Sequence, residues 1–250
     1  MLIEAAQNAV EVSKHMDLEK MPLSQIVGAI GGLGTAAFGV VDASKAVIPA
    51  INRIGLKHIE KVVASLVPDQ TGDGLPARPV NTLPRKNVLE TVAANWENGN
   101  DLASQKAIAK SLIKLHMSPG NAAALAAKTN VDPVILRSVA TKISTGASLT
   151  QVEVDVYARF DLIVTALLDQ AYQCSDQRYR NKSRGLAGLV AVLLAVAAGW
   201  TLTGDGFWTS QELALSVLVG LLATPLAPVA KDLSSALAAA VNAMQAVKRK

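Results

Sequence analysis

Residues 185–202 (GLAGLVAVLLAVAAGWTL) and 213–230 (LALSVLVGLLATPLAPVA) are two runs of eighteen positions without a charged side chain. As an α-helix, a run of about 20 apolar residues matches the hydrocarbon thickness of a bilayer. Inside that layer a segment must satisfy its own backbone hydrogen bonds, which a single run can do only as a helix. Residues 203–212 separate the runs and include Gly204, Asp205 and Gly206. The pair therefore reads as a transmembrane helical hairpin over 185–230 with a short polar tip. Trp200, Phe207 and Trp208 fall at the tip, where amphipathic rings favour the headgroup level. A buried hairpin in a water-soluble core is the competing reading. Helices of that kind carry a polar stripe, and neither run has one.

A third run, 23–41 (LSQIVGAIGGLGTAAFGVV), has five glycines and no charge before Asp42. Gly28, Gly32 and Ala36 recur every four residues, as do Gly31, Thr35 and Gly39. Two neighbouring faces are thus nearly flat and let helix backbones approach closely. This run reads as a transmembrane or re-entrant helix. Residues 1–22 carry Glu4, Glu11, Asp17 and Glu19 rather than the basic start of a secretory signal. With Leu2, Ala6, Ala9, Val10 and Met16 on one side, they read as an amphipathic helix.

Lys and Arg in short flanks mark the cytoplasmic side of a span. Arg178, Arg180, Lys182 and Arg184 precede the second run, whereas the 203–212 tip has neither Lys nor Arg. Lys231, Lys248, Arg249 and Lys250 follow the last run. This pattern predicts a cytoplasmic middle region and C-terminus with the tip outside, in a bacterial inner membrane. Three spans would then place the N-terminus outside, and two would leave it inside. Residues 42–184 hold 18 basic and 13 acidic residues in a chain of net charge +4. That excess lies where the orientation rule expects it. It could also attract anionic headgroups or nucleic acid, but topology and a solvated face account for it.

The middle region reads as helical throughout, with no alternating strand pattern. Residues 43–66 are helix with Pro49 as a kink or start, and 68–84 is a Pro-rich loop. Helices follow at about 86–97, 101–117, 122–128 and 133–143. Asn121 is a candidate N-cap, Asp132-Pro133 a cap and first-turn pair, and Gly146 a stop. Ser148 and Gln151 have the capping-box spacing at the start of a long helix. At the C-terminus, Leu233, Ala236, Leu237, Ala240, Val241, Met244 and Val247 make 231–250 an amphipathic helix. The predicted fold class is all-α: an integral membrane protein with two to three transmembrane helices and a cytoplasmic helical domain.

One cysteine, Cys174, excludes an intramolecular disulfide framework and a multi-cysteine metal site, and His15, His58 and His116 form no ligand motif. Asp69, Thr71, Asp73 and Gly74 imitate the start of a calcium loop, but Val80 stands where its bidentate Glu belongs. Residues 122–143 have helix-turn-helix spacing, with Arg137, Ser138 and Lys142 on the side that would face DNA. Two bases with Asp132 at the front make a poor reader, and a structural corner is preferred. Tyr157, Tyr172 and Tyr179 with Arg178 and Arg180 could form a stacking patch for single strands, but read more simply as amphipathic and interfacial. GAIGGLG at 28–34 follows no strand, so helix packing explains it better than a nucleotide loop. The two C-terminal runs contain no ionisable residue, which argues against ion-coupled transport.

These features predict a non-enzymatic membrane anchor or scaffold, without cofactor, metal or catalytic residue. It would self-associate through the faces Gly28/Gly32/Ala36 and Ala191/Ala195/Gly199. Its partners would be membrane lipids, copies of itself and a cytoplasmic protein, but not nucleic acid. Trp200, Phe207, Trp208, Arg178, Arg180, Lys182 and Arg184 would lie at the membrane interface. The alternative is an oligomeric pore or membrane-perturbing effector.

Overall fold

The computed structural model describes residues 23–45, 47–68 and 84–248. The amphipathic helix expected over 1–22, most of the loop at 68–84 and the calcium-loop imitation fall outside these residues. All regular structure among them is helical. In chain order the helices are α1 (Leu23–Ser44), α2 (Pro49–Asn52), α3 (Leu56–Leu66), α4 (Arg85–Glu97), α5 (Leu102–His116), α6 (Ala122–Thr129), α7 (Pro133–Thr145), α8 (Gln151–Thr203) and α9 (Gln211–Lys248). A 3-10 turn, Phe207–Thr209, precedes α9. The chain divides into a middle unit, Pro49–Arg180, and a terminal unit made of Met1–Ile48 and Asn181–Lys250.

The middle unit is a helical assembly built on one stripe of α8. Phe160, Val164, Leu168 and Tyr172 recur every fourth residue, so they share one face, and all are buried. Against them and each other pack Ile59 and Val63 of α3, Val92 and Trp96 of α4, Ile113 of α5, Leu125 of α6 and Leu136 of α7. Each such side chain contributes roughly 1.5–3 kcal/mol when fully buried. Trp96 anchors the α3–α4 side: its Nε1–H donates to the Asn52 carbonyl at 2.9 Å, and its ring meets Tyr179 edge-on at 6.2 Å.

Local signals set most helix ends. Asp101 caps α5 by accepting from Ser104 N–H at 2.9 Å; the Ser104 side chain first, and its N–H second, hold the carboxyl below the usual range. Asp132 accepts from Val134 and Ile135 N–H, with Pro133 in the first turn of α7. Gly146 ends α7 in the left-handed region, φ 71°. Two expected caps differ. Asn121 makes no cap; its Oδ1 accepts from Ser118 N–H and its Nδ2–H donates to the His116 carbonyl, closing the turn before α6. The capping box of α8 is Thr150 with Glu153, not Ser148 with Gln151. Thr150 N–H donates to Glu153 Oε2 at 2.7 Å, and Thr150 Oγ1 accepts from Glu153 N–H at 3.4 Å.

The 43–66 stretch is not one helix. It breaks between Ser44 and Pro49, and again at Gly55, whose φ is 91°. A Cβ at Gly55 would stand 2.6 Å from the Ser175 carbonyl oxygen, so the close approach of this turn to α8 requires glycine. Conversely, two expected boundaries inside α8 and α9 are absent. α8 continues without interruption from the middle unit through the basic stretch 178–184 into the apolar run. α9 likewise passes through Pro225 and Pro228 and on past 231, so the C-terminal segment is its continuation rather than a separate helix. Most of the apolar side chains assigned to that segment's amphipathic face lie outside the described set.

Three helices are long and apolar enough to cross a membrane: Leu23–Ser44, Gln151–Thr203 and Gln211–Leu233. Within Gln151–Thr203 the charge-free stretch is 185–202.

Candidate functional site

The terminal unit is held together by its smallest residues. A Cβ added at Gly31 would collide with Ala230 Cβ and stand 2.9 Å from the Leu226 carbonyl oxygen; one at Gly34 would collide with the Ala223 carbonyl and lie 3.1 Å from Ala227 Cβ. Ala37 and Val41 extend the same buried face of α1. On the adjoining face of α9, a Cβ at Gly220 would lie 2.8 Å from Val192 N, and one at Gly199 would collide with the Ser216 hydroxyl and lie 2.7 Å from the Phe207 ring. The three helices meet at Ala37, Ala191 and Ala223, a cluster of methyl groups with no measurable exposure. Without apolar side chains to bury between them, helices in lipid associate through such close backbone packing.

These contacts also fix direction. Along α8, positions 188, 192 and 199 face 224, 220 and 216 of α9, so the hairpin is antiparallel. Along α1, Gly31 faces 226 and 230 while Gly34 faces 223 and 227. α1 is therefore antiparallel to α9 and runs in the same direction as the apolar part of α8. The three-span topology expected from charge has α1 parallel to α9, so the packed direction is the reverse.

Large apolar side chains point outward. Leu189, Leu193, Leu215, Leu218, Leu221 and Val229 are each more than half exposed. Of the apolar windows in the three helices, only 22%, 17% and 22% is buried within the chain. Small residues inside and leucines outside invert the arrangement of a water-soluble bundle.

The predicted packing residues divide. Ala191 and Ala195 are buried and Gly199 packs under Phe207, all on the α9-facing side of α8. Gly28 and Gly32 have nothing within 4 Å of a built Cβ, and Gly32 and Ala36 are exposed. Within one chain the tight face of α1 is therefore the neighbouring one, Gly31/Gly34/Ala37/Val41, because that face meets the alanine ridge of α9. At the tip, Trp200 and Trp208 are exposed, with ring centroids 6.3 Å apart. Phe207, by contrast, is fully buried within the chain and fills the space that Gly199 leaves open. Arg178, Arg180, Lys182 and Arg184 are all exposed along α8, with Arg180 Nε–H donating to Asp176 at 2.8 Å.

In the middle unit several charged side chains are tied to α8. Glu153 is the hub. Lys142 donates to it at 2.7 Å and Ser138 at 2.6 Å, in addition to its capping bonds. The Lys142 ammonium first, then Ser138 and the Thr150 amide, draw its pKa down to about 2. Ser138 and Lys142 thus turn toward α8, leaving Arg137 as the exposed member of the three residues placed opposite DNA. Lys106 pairs with Asp169, and Lys110 and Lys114 both pair with Asp161, at 2.6 and 2.9 Å, tying α5 to α8. Burial pushes Asp161 upward, but the two ammonium groups outweigh it and hold the carboxyl low.

The three tyrosines do not form a patch. Tyr172 is in the core, where burial raises its pKa to about 12. Tyr157 stacks on Phe160, and Tyr179 abuts Trp96. An open cleft of about 660 Å³ lies between α3 and α4, lined by Arg53, Lys57, Glu60, Arg85 and Glu90 among others. Its charges are of both signs, and Arg53 is held by Glu97 at 2.7 Å. Among the described residues, no three His, Cys, Asp or Glu side chains converge. No protein-family model matches the chain, and comparisons with curated proteins and with solved structures find no match either.

Proposed function

We propose that this protein is a non-enzymatic membrane anchor. Its apolar hairpin lies in the lipid of a bacterial inner membrane, and its basic helical unit docks a protein partner at the cytoplasmic face. The observation that carries this reading is the inversion of the terminal unit: methyl groups at its centre, leucines on its outside. Water would meet a large apolar surface there, whereas lipid covers it at no loss. The basic stretch at 178–184 and the tip without Lys or Arg support a cytoplasmic middle unit. The free face Gly28/Gly32/Ala36 suits association of copies through close helix contact.

The test is fractionation of cells producing the untagged chain, with carbonate washing of the membranes. Retention in the pellet, with a cysteine at Asp205 labelled only from outside, supports the reading. A monodisperse chain in the washed supernatant overturns it. A second reading, an oligomeric pore, is favoured by Pro225 and Pro228 inside α9. Proline leaves the carbonyl four residues earlier without its helical donor, and such carbonyls can line a polar path. Dye release from liposomes containing the purified chain separates the two.

A further inference from the structure

Two cations stand on facing sides of the hairpin, just past its glycine contacts. Gly188 of α8 faces Thr224 of α9, and Gly220 of α9 faces Val192 of α8. Carried toward the basic end, the same antiparallel register sets position 184 level with 228 and position 181 level with 231. Arg184 lies four residues before Gly188, about 40° round α8 from it, and Lys231 lies seven after Thr224, about 20° round α9. Both side chains are exposed. Among the described residues the ion pair formed nearby is Arg180 with Asp176, and neither Arg184 nor Lys231 makes one. Asp232 follows Lys231 on α9 but is turned about 100° away from it and is exposed. α1 brings no charge to this level, since Leu23 to Val41 contains none. Like charges set across a helix pair repel, most of all beside low-dielectric hydrocarbon, and an anion between them reverses the sign.

The surroundings select the anion. Val229 stands two residues before Lys231 and Leu189 five after Arg184, and both are more than half exposed, so outward-facing apolar surface begins directly beside the cations. A guanidinium takes phosphate oxygens through its fork of N–H donors, and an ammonium adds a point charge. We propose that Arg184 and Lys231 together bind the headgroup phosphate of an anionic phospholipid whose acyl chains lie along the leucine-coated surface. The assignment rests on the reading that the terminal unit lies in lipid. A free phosphate supplies the same charge but leaves the leucines uncovered. The headgroup bridges the base of the hairpin, a basic pocket between helices of the kind that suits such lipids.

The test titrates the full chain in a nonionic detergent with phosphatidylglycerol and reads lipid bound per chain by native mass spectrometry. Such a detergent has no charged surface, so the general attraction of basic residues to an anionic layer drops out. Arg184→Gln with Lys231→Gln removes two charge-assisted contacts and is expected to weaken phosphatidylglycerol binding about tenfold or more. Arg180→Gln with Lys182→Gln removes equal charge from exposed positions about 80° and 120° from Gly188, and is expected to weaken it about threefold or less. Arg184→Lys with Lys231→Arg keeps both charges and should bind within about threefold of the parent; this pair carries the test if the glutamine pair does not fold. Equal losses from the two glutamine pairs overturn the site, as does a loss of about tenfold in the charge-keeping pair. Phosphatidylcholine binding as tightly as phosphatidylglycerol also overturns it, and inorganic phosphate that displaces the lipid at equal concentration overturns the choice of a lipid. Carbonate washing of vesicles containing the chain keeps the two readings apart. A chain that washes off defeats the membrane reading itself, and a retained chain without preference for phosphatidylglycerol defeats only the headgroup site.

Discussion

Replacing Gly55 with alanine tests how the middle unit is closed. Gly55 has φ 91°, and a left-handed backbone costs an L-residue about 1–2 kcal/mol. The new Cβ would also stand 2.6 Å from the Ser175 carbonyl oxygen, an overpacking that adds about 1–3 kcal/mol. The sum, roughly 2–5 kcal/mol, is a large part of a domain's stability. Gly146 supplies the control: its φ is 71°, but nothing lies within 4 Å of a built Cβ, so its alanine variant bears the backbone term alone, about 1–2 kcal/mol. The assay is urea unfolding in mild detergent of the full chain with Trp200→Phe and Trp208→Phe, which leaves Trp96 as the sole tryptophan. Trp96 is 9% exposed, and its emission moves to the red when the α3–α4–α8 core opens. With a urea dependence of about 2 kcal/mol per molar, the Gly55→Ala midpoint falls by about 1–2.5 M and that of Gly146→Ala by less than about 1 M. Equal shifts for the two variants would refute the clash with Ser175 as the reason for glycine at 55.

The ion-pair hub makes a pH prediction. Glu153 titrates near 2 in the folded chain, below its ordinary 4.5, so its contribution is present above about pH 4.5 and is lost as pH falls toward 2. Trp96-monitored stability should drop over that window in the parent and drop less in Glu153→Gln; identical slopes would count against the hub. Gly34→Leu should abolish cross-linking of the Ala37→Cys/Ala223→Cys pair in detergent, while Gly28→Leu should leave it intact; the opposite ranking would put the contact on the wrong face of α1. Phe207→Ala removes a fully buried ring over Gly199 and should lower the thermal midpoint in detergent by an amount corresponding to about 3 kcal/mol. A midpoint within one degree of the parent would mean the ring is not packed as described.

What the sequence made legible was local. The charge-free runs, the Asp132-Pro133 start and the Gly146 stop depend on neighbours within a few residues, and all three recur in the structure. The misread capping box shows where local pattern runs out. Ser148 with Gln151 and Thr150 with Glu153 have the same spacing. The second is chosen because Lys142 and Ser138, on another helix, also reach Glu153. The faces of α1 pose the same difficulty. Gly28/Gly32/Ala36 and Gly31/Gly34/Ala37 are both flat, and the choice is made by alanines some two hundred residues away on α9. The break at Gly55 was likewise invisible, since its need for glycine comes from the Ser175 carbonyl. The uninterrupted course of α8 could have been anticipated: between 168 and 184 there is charge but no proline or glycine to stop a helix.

Three methyl groups, those of Ala37, Ala191 and Ala223, occupy the line along which α1, α8 and α9 converge. A solute approaching from either end of that line meets hydrocarbon in van der Waals contact and finds no lumen. With the three helices packed in this way, flux mediated by this polypeptide must therefore pass between chains rather than along that line. Conductance across a planar bilayer would accordingly rise more steeply than in proportion to the amount of protein added.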